Sequence, residues 1–218
     1  MPKDVDHDAR REELLEAVWR VIARDGIERA TIRTIAKETG WSSGVLAHYF
    51  ADKDEILGSA LRLMYERIAA RWAVKLEGLT GIQALHELVL DNLPLDDQRE
   101  LETRFFMNYW GRVIRDGEDV PPSGRRGPQL IDLLSELVRE GQNAGEIRVD
   151  EAPEDVAERL LALIDGFSLH ALLDPQRLTG ERQAALVKQE FDRLSPRHAT
   201  AAGQRGAANH TTKRKQNA

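Results

Sequence analysis

The chain has 218 residues, enough for one sizeable core or for a small domain joined to a larger one, and its 41% hydrophobic and 31% charged residues are an ordinary balance for a globular protein. It contains no cysteine, which excludes disulfides and thiolate-ligated metal centres, and no run near the ~20 apolar residues of a spanning helix. The net charge of −6 runs against nucleic-acid binding unless positive groups gather on one face.

Apolar residues recur at helical spacing nearly throughout, and no period-2 run of β-branched residues stands out, so an all-α fold is expected. Met1 to Arg11 is charged and carries no signal-peptide pattern; a cytoplasmic protein is expected. The first helix is predicted over Asp8–Arg24, with Leu14, Leu15, Val18, Val21 and Ile22 as its buried stripe and Gly26 ending it. Thr31 is a good N-cap for a short helix over Ile32–Thr39, which Gly40 stops. Ser42 or Ser43 caps a third helix reaching Tyr49. Asp52, with Glu55 three residues on, opens a long fourth helix through Ile56, Leu57, Leu61, Met64, Ile68 and Trp72 to about Glu77.

Further helices are expected over Ile82–Asn92, Asp97–Arg115, Pro128–Asn143, Pro153–Leu173 and Gly180–Leu194. The Asp116–Gly127 stretch, with Pro121-Pro122 and its glycines, is the longest internal loop. From Ser195 the chain loses its large apolar side chains, and Arg197, Arg205, Lys213, Arg214 and Lys215 stand there without an acidic residue. A disordered basic tail over 196–218 follows from that composition.

The pair of short helices joined by Gly40-Trp41-Ser42 is the informative feature. Helices of about two turns must be held by packing, and Ile32, Ile35, Ala36 and Leu46 or Val45 offer the inward face. This is the arrangement of a helix-turn-helix, whose second helix lies in the DNA major groove. A hairpin within an ordinary helical bundle has the same spacing.

The run Leu14-Leu15-Glu16-Ala17-Val18 through Gly26, then Ala30-Thr31-Ile32-Arg33-Thr34-Ile35-Ala36, then Gly40 to Phe50 and Asp52-Lys53, resembles the N-terminal domain of the TetR family of transcription regulators. The likeness is in register from about Arg10 to Leu61. A weaker likeness covers Arg139 to Glu146 and Ala162 to Gly166. Ala47-His48-Tyr49-Phe50 with Ile164-Asp165-Gly166-Phe167 is similar to the choline-responsive BetI-type branch.

The resemblance implies a three-helix DNA-binding domain over 8–68, with the helix-turn-helix at 31–50, and a larger helical ligand-binding and dimerisation domain over 69–195. It implies a homodimer that binds double-stranded operator DNA, usually as a repressor, and answers to a small-molecule effector of unknown identity. Thr31, Arg33 and Thr34 would lie near phosphates, and Ser42, Ser43, Gly44 and Val45 would begin the recognition helix. Ala47 and His48 follow on it, and Tyr49 and Lys53 fall where the family commonly meets the DNA backbone. Cations supply the salt-sensitive attraction and hydroxyls the directed contacts.

Two positions depart from the family pattern. Ala47 stands where many members carry a phosphate-contacting tyrosine, and Trp41 replaces a small apolar turn residue. The recognition helix also lacks the Arg, Asn or Gln that pair bidentately with guanine or adenine.

In the larger domain, Trp72, Phe106, Tyr109 and Trp110 are candidates for an effector pocket, the last three sharing a helical face and Trp110 expected to be separate from the DNA-binding domain. Aromatic faces suit a cation; simple core packing is the alternative reading for each. Gly166, Leu169, His170 and Leu173 are the candidate dimer contacts, on a helix that is apolar nearly all round. His86 and His170 read as satisfied or solvent-facing imidazoles. With no Glu-x-x-His pair and no nucleophile–base spacing, no metal, cofactor or catalysis is expected. A helical enzyme or cofactor-binding bundle and a protein–protein adaptor are the rival classes.

Overall fold

The structure, a computed structural model, describes residues 3–117 and 126–196. The expected basic tail and most of the Asp116–Gly127 loop lie outside these residues. Among them, every regular element is helical. The order is α1 (Lys3–Asp25), a 3₁₀ turn (Ile27–Arg29), α2 (Ile32–Thr39), α3 (Ser43–Tyr49), α4 (Lys53–Lys75), α5 (Gly81–Asp91), α6 (Asp97–Asp116), α7 (Arg126–Asn143), α8 (Pro153–Leu173) and α9 (Gly180–Leu194).

Two apolar cores account for the architecture. The head core joins Leu14, Val18, Trp19 and Ile22 of α1 to Ile35 and Ala36 of α2, Leu46 of α3, and Ile56, Leu61, Met64 and Ile68 of α4. The body core joins Leu85, Leu88 and Val89 of α5 to Leu130, Leu134 and Val138 of α7, Leu160 and Ile164 of α8, and Val187 and Phe191 of α9. The predicted α1 stripe is buried as expected, with Trp19 added; its indole N–H donates to the Ala60 carbonyl at 2.9 Å. The 3₁₀ turn was not anticipated. It follows Gly26 at φ 86°, buries Ile27, and brings the chain round to the α2 cap.

Two elements tie the cores together. Helix α4 is continuous past residue 68, so the expected boundary falls within one rod, and Trp72 borders both cores. Helix α6 packs along α1 and sends Phe105 and Phe106 into the head core, although its sequence lies in the expected larger domain.

Glycine is needed where α5 starts against the end of α7. Gly81 has φ 54°, and an added Cβ would sit 3.2 Å from the Gly141 Cα and 2.3 Å from the Glu146 carboxylate. The approach lets Glu146 accept from the Ile82 N–H at 3.0 Å and Glu140 from the Gly81 N–H at 3.3 Å. Carboxylates thus satisfy free amides at the positive end of α5.

Candidate nucleic-acid interface

Helix α2 is locked by a reciprocal cap. The Thr31 hydroxyl accepts from the Thr34 N–H at 3.2 Å, and the Thr34 hydroxyl accepts from the Thr31 N–H at 2.8 Å while donating to the Arg29 carbonyl at 2.6 Å. These two hydroxyls, expected near phosphates, are therefore also the clamp that fixes α2. Arg33 is exposed beside them, and Lys37 follows one turn later on the same exposed face. Lys37 was missed, although the i, i+4 spacing of two cations was there to be read.

Gly40, at φ 73°, closes α2 in the left-handed region and turns the chain. Ser42, rather than Ser43, caps α3 by accepting from the Val45 N–H at 3.3 Å. Leu46 is 1% exposed and points into the core, so the opposite side of α3 faces outward. That side carries Ser43, Gly44, Val45, Ala47 and His48, all exposed, with Val45 among the exposed large apolar side chains. Tyr49 is half-buried, its ring 5.9 Å from that of Trp41 and 5.8 Å from that of His48. Asp52 caps α4 by accepting from the Glu55 N–H at 2.8 Å. Glu55 reaches one residue beyond the cap, to the Ala51 N–H at 2.7 Å, and Lys53 stands half-buried in that first turn.

The aromatic candidates of the larger domain divide. Phe106 has no exposed surface; its ring lies 5.3 Å from that of Tyr65 and 6.0 Å from that of Trp110. It is a core side chain, and with it α6 is part of what holds the head. Trp110 therefore borders the head instead of standing apart from it. Trp72, Tyr109 and Trp110 are half-buried around the same core. None of the four lines the groove of about 580 Å³ at the end of α4, where Ile82, His86 and Phe191 form an apolar wall under Lys75 and Lys188. His86 is held edge-on to Phe191 at 4.9 Å.

Trp72 has a polar partner that sequence reasoning did not foresee. Its indole N–H donates to Asp91 at 3.0 Å, at the end of α5. Asp91, with its side chain 1% exposed, also accepts from Arg71 at 2.8 Å and Lys75 at 2.5 Å. Arg71 makes two further bonds, of 2.7 and 2.8 Å, to Glu102 of α6, whose side chain is 7% exposed. Burial alone would raise the Asp91 carboxyl, but the hydrogen bonds from Lys75 and Arg71 outweigh it and hold the group below its ordinary range. Arg71 is held charged more firmly than usual by Glu102 first, against burial, with Asp91 adding to the hold. A charged knot thus sits where α4 passes from head to body. Arg112 on α6 adds an outer tie to Asp54 at 3.0 Å, and Arg115 pairs with Glu28 of the 3₁₀ turn.

On α8, Leu169 and Leu173 are 44% and 71% exposed, His170 is exposed, and Gly166 is half-exposed. Nothing lies within 4 Å of a Cβ built on Gly166. No group of His, Asp and Glu suited to a metal occurs among the described residues, and no described helix is long and apolar enough to cross a membrane.

Residues 14–67 match the family model of bacterial regulatory proteins of the tetR family, and residues 81–196 match that of the BetI-type transcriptional repressor C-terminal domain. The chain belongs to the TetR family. It is 48% identical over 195 residues to the HTH-type transcriptional regulator BetI of Stenotrophomonas maltophilia, covering 88% of this chain and 96% of that one. It is 37% identical over 201 residues to the HTH-type transcriptional regulator PksA of Bacillus subtilis, covering 89% and 94%. Among solved structures, a protein of Saccharomonospora viridis described as a transcriptional regulator, in complex with choline, superposes with a TM-score of 0.76 at 25% identity, covering 85% of this chain and 96% of that one. The chain is accordingly a helix-turn-helix regulator of transcription, with a TetR-type head and a BetI-type C-terminal domain.

Proposed function

We propose that this TetR-family regulator is a homodimeric repressor that binds a palindromic operator and is released from it by a small organic cation. The observation that carries the reading is the outward face of α3: a helix backed by Leu46 and Phe50, both nearly fully buried, yet presenting Ser43, Gly44, Val45, Ala47 and His48 to solvent. A helix so presented next to exposed Arg33 and Lys37 fits the major groove, with the cations and Lys53 toward phosphate. Val45 and Ala47 would meet thymine methyl groups, and His48 and Ser43 would supply the hydrogen bonds to base edges.

Dimerisation is supported by the exposed stripe of Gly166, Leu169 and Leu173, with His170 beside it and room over Gly166 for a second helix. The effector class is supported by half-buried Trp72, Tyr109 and Trp110 and by the choline held in the S. viridis relative. Asp91 is already saturated by two cations and an indole, so the aromatic faces, and not this carboxylate, would receive the ligand.

The test is selection of sites from a random duplex pool by the full chain. The expected yield is a palindrome with half-sites about 10 base pairs apart, centre to centre. A pool that emerges without a common sequence would contradict the reading. Gly166→Trp should give a monomer with greatly weakened operator binding, because a two-fold site rewards two linked heads. Sedimentation of that variant as an intact dimer would move Gly166 out of the interface.

A further inference from the structure

Helix α3 is the weakest element of the head. It has seven residues, Ser43–Tyr49, including Gly44 and the β-branched Val45. A segment this short has no stability of its own, and the glycine lowers it further. The Ser42 cap secures its first turn, and Leu46 and Phe50 secure its inner side. The last residue, Tyr49, packs half-buried at the edge of the head core, and its ring meets that of Trp41 at 5.9 Å with planes tilted by 50°.

Trp41 is built to bear that load. Its N–H donates to the Ala36 carbonyl at 3.0 Å and to the Thr39 hydroxyl at 3.3 Å, and the left-handed Gly40 before it sets the turn. Its indole is half-buried against the head core. The two rings therefore bridge from the residue before the α3 cap to the last residue of α3, across the whole helix. His48, on the reading face, meets Tyr49 edge-on at 5.8 Å and shares the support.

We propose that Trp41 is a positioning residue for DNA recognition: through its ring contact with Tyr49 it clamps both ends of the recognition helix and fixes the Tyr49 phenol and the His48 imidazole for the operator. The proposal rests on the operator-binding reading above, and it makes Trp41 act through Tyr49 and not by touching DNA.

The experiment is a double-mutant cycle on operator affinity with the full-length chain and the duplex selected by the wild type, joined to hydrogen exchange. Trp41→Ala should weaken binding about threefold to tenfold, the range a ring pair supplies. Trp41→Phe should restore most of the loss. In the Tyr49→Ala background, Trp41→Ala should add less than about a twofold loss, because the pair acts as a unit. Amides of α3 should exchange faster in Trp41→Ala while those of α1 and α8 keep their rates. Additive losses would overturn the proposal by showing that the indole acts independently of Tyr49; so would unchanged exchange in α3 or a failed rescue by phenylalanine. If Trp41→Ala does not fold, Trp41→Leu, which keeps apolar bulk without the ring, takes its place in the cycle. A wild type that selects no duplex is a separate result, removing the operator reading and this proposal with it.

Discussion

The outward face of α3 and the charged knot on α4 treat polar groups in opposite ways. On α3 the polar side chains are at the surface, held by a serine cap and the ring contacts of Tyr49 with Trp41 and His48. At α4 the carboxylates of Asp91 and Glu102, from α5 and α6, are buried and take their bonds from that one helix, Asp91 from Arg71, Trp72 and Lys75 and Glu102 from Arg71 twice. A reading surface must give up its water to DNA, so its groups stay cheap to rearrange. A joint between two cores must have few alternative positions, and buried charge supplies that, because a displaced partner leaves an uncompensated ion behind. The candidate reading surface is thus the locally weak element and the joint between the cores the locally stiff one.

The stiff side should fail most heavily. Arg71→Ala leaves Asp91 and Glu102 without their shared cation and should cost about 3–5 kcal/mol, toward the lower end because Lys75 and Arg99 remain near Asp91. Arg71→Lys should recover little of this, since a lysine cannot reproduce the two-pronged bond to Glu102. Thermal or urea unfolding reads both variants, and a loss under about 1 kcal/mol for Arg71→Ala would mean the knot is not a constraint.

Acid should loosen the same joint. The Asp91 carboxyl titrates lower in the folded chain than in the unfolded one, so its stabilisation is complete above the unfolded value near 4 and is lost as pH falls toward the lower folded value. Melting temperature should therefore drop more steeply below pH 4 in the wild type than in Asp91→Asn, which starts lower and carries no such carboxyl. Parallel acid profiles would place the acid-sensitive group elsewhere.

Much of this fold was legible because its helix ends are written in local chemistry. Thr31 and Asp52 cap where the sequence indicates, Ser42 is one of the two serines it offers for α3, and Gly26 and Gly40 break where a left-handed residue is required. Those marks and the spacing of Ile35, Ala36 and Leu46 outlined the pair of short helices, and the resemblance to the TetR family made it a helix-turn-helix. What did not emerge depends on partners distant in the chain. Phe106 sits on an amphipathic helix whose sequence states that one face is buried but not against what, so its place in the head core was invisible. Asp91 closes an apolar helix and reads as a solvated end; only the packing of α4 against the end of α5 surrounds it with Arg71, Lys75 and Trp72. The 3₁₀ turn over Ile27–Arg29 is too short for periodicity to reveal.

On the weak side the effects should be smaller and should fall on DNA alone. Lys53→Ala should weaken binding to every duplex and reduce the salt dependence by about one unit of slope for each site lost, with the melting temperature nearly unchanged. A change of sequence preference without a change of slope would remove its phosphate role. Val45→Ala should be milder still, weakening only operators with a thymine under that side chain, by at most about 1 kcal/mol. Equal losses on all operators would mean that Val45 packs the helix and does not read the base.

The proposed function requires effector and operator to weaken each other's binding. Titrating the wild-type protein with choline, with and without the selected operator, and with the operator, with and without choline, measures this directly. Linkage requires the two affinities to weaken by the same factor, and a coupling of about 1–3 kcal/mol is the expected size. Choline binding that leaves operator affinity unchanged would contradict the coupling, and absence of choline binding would contradict the cationic effector on which it is built.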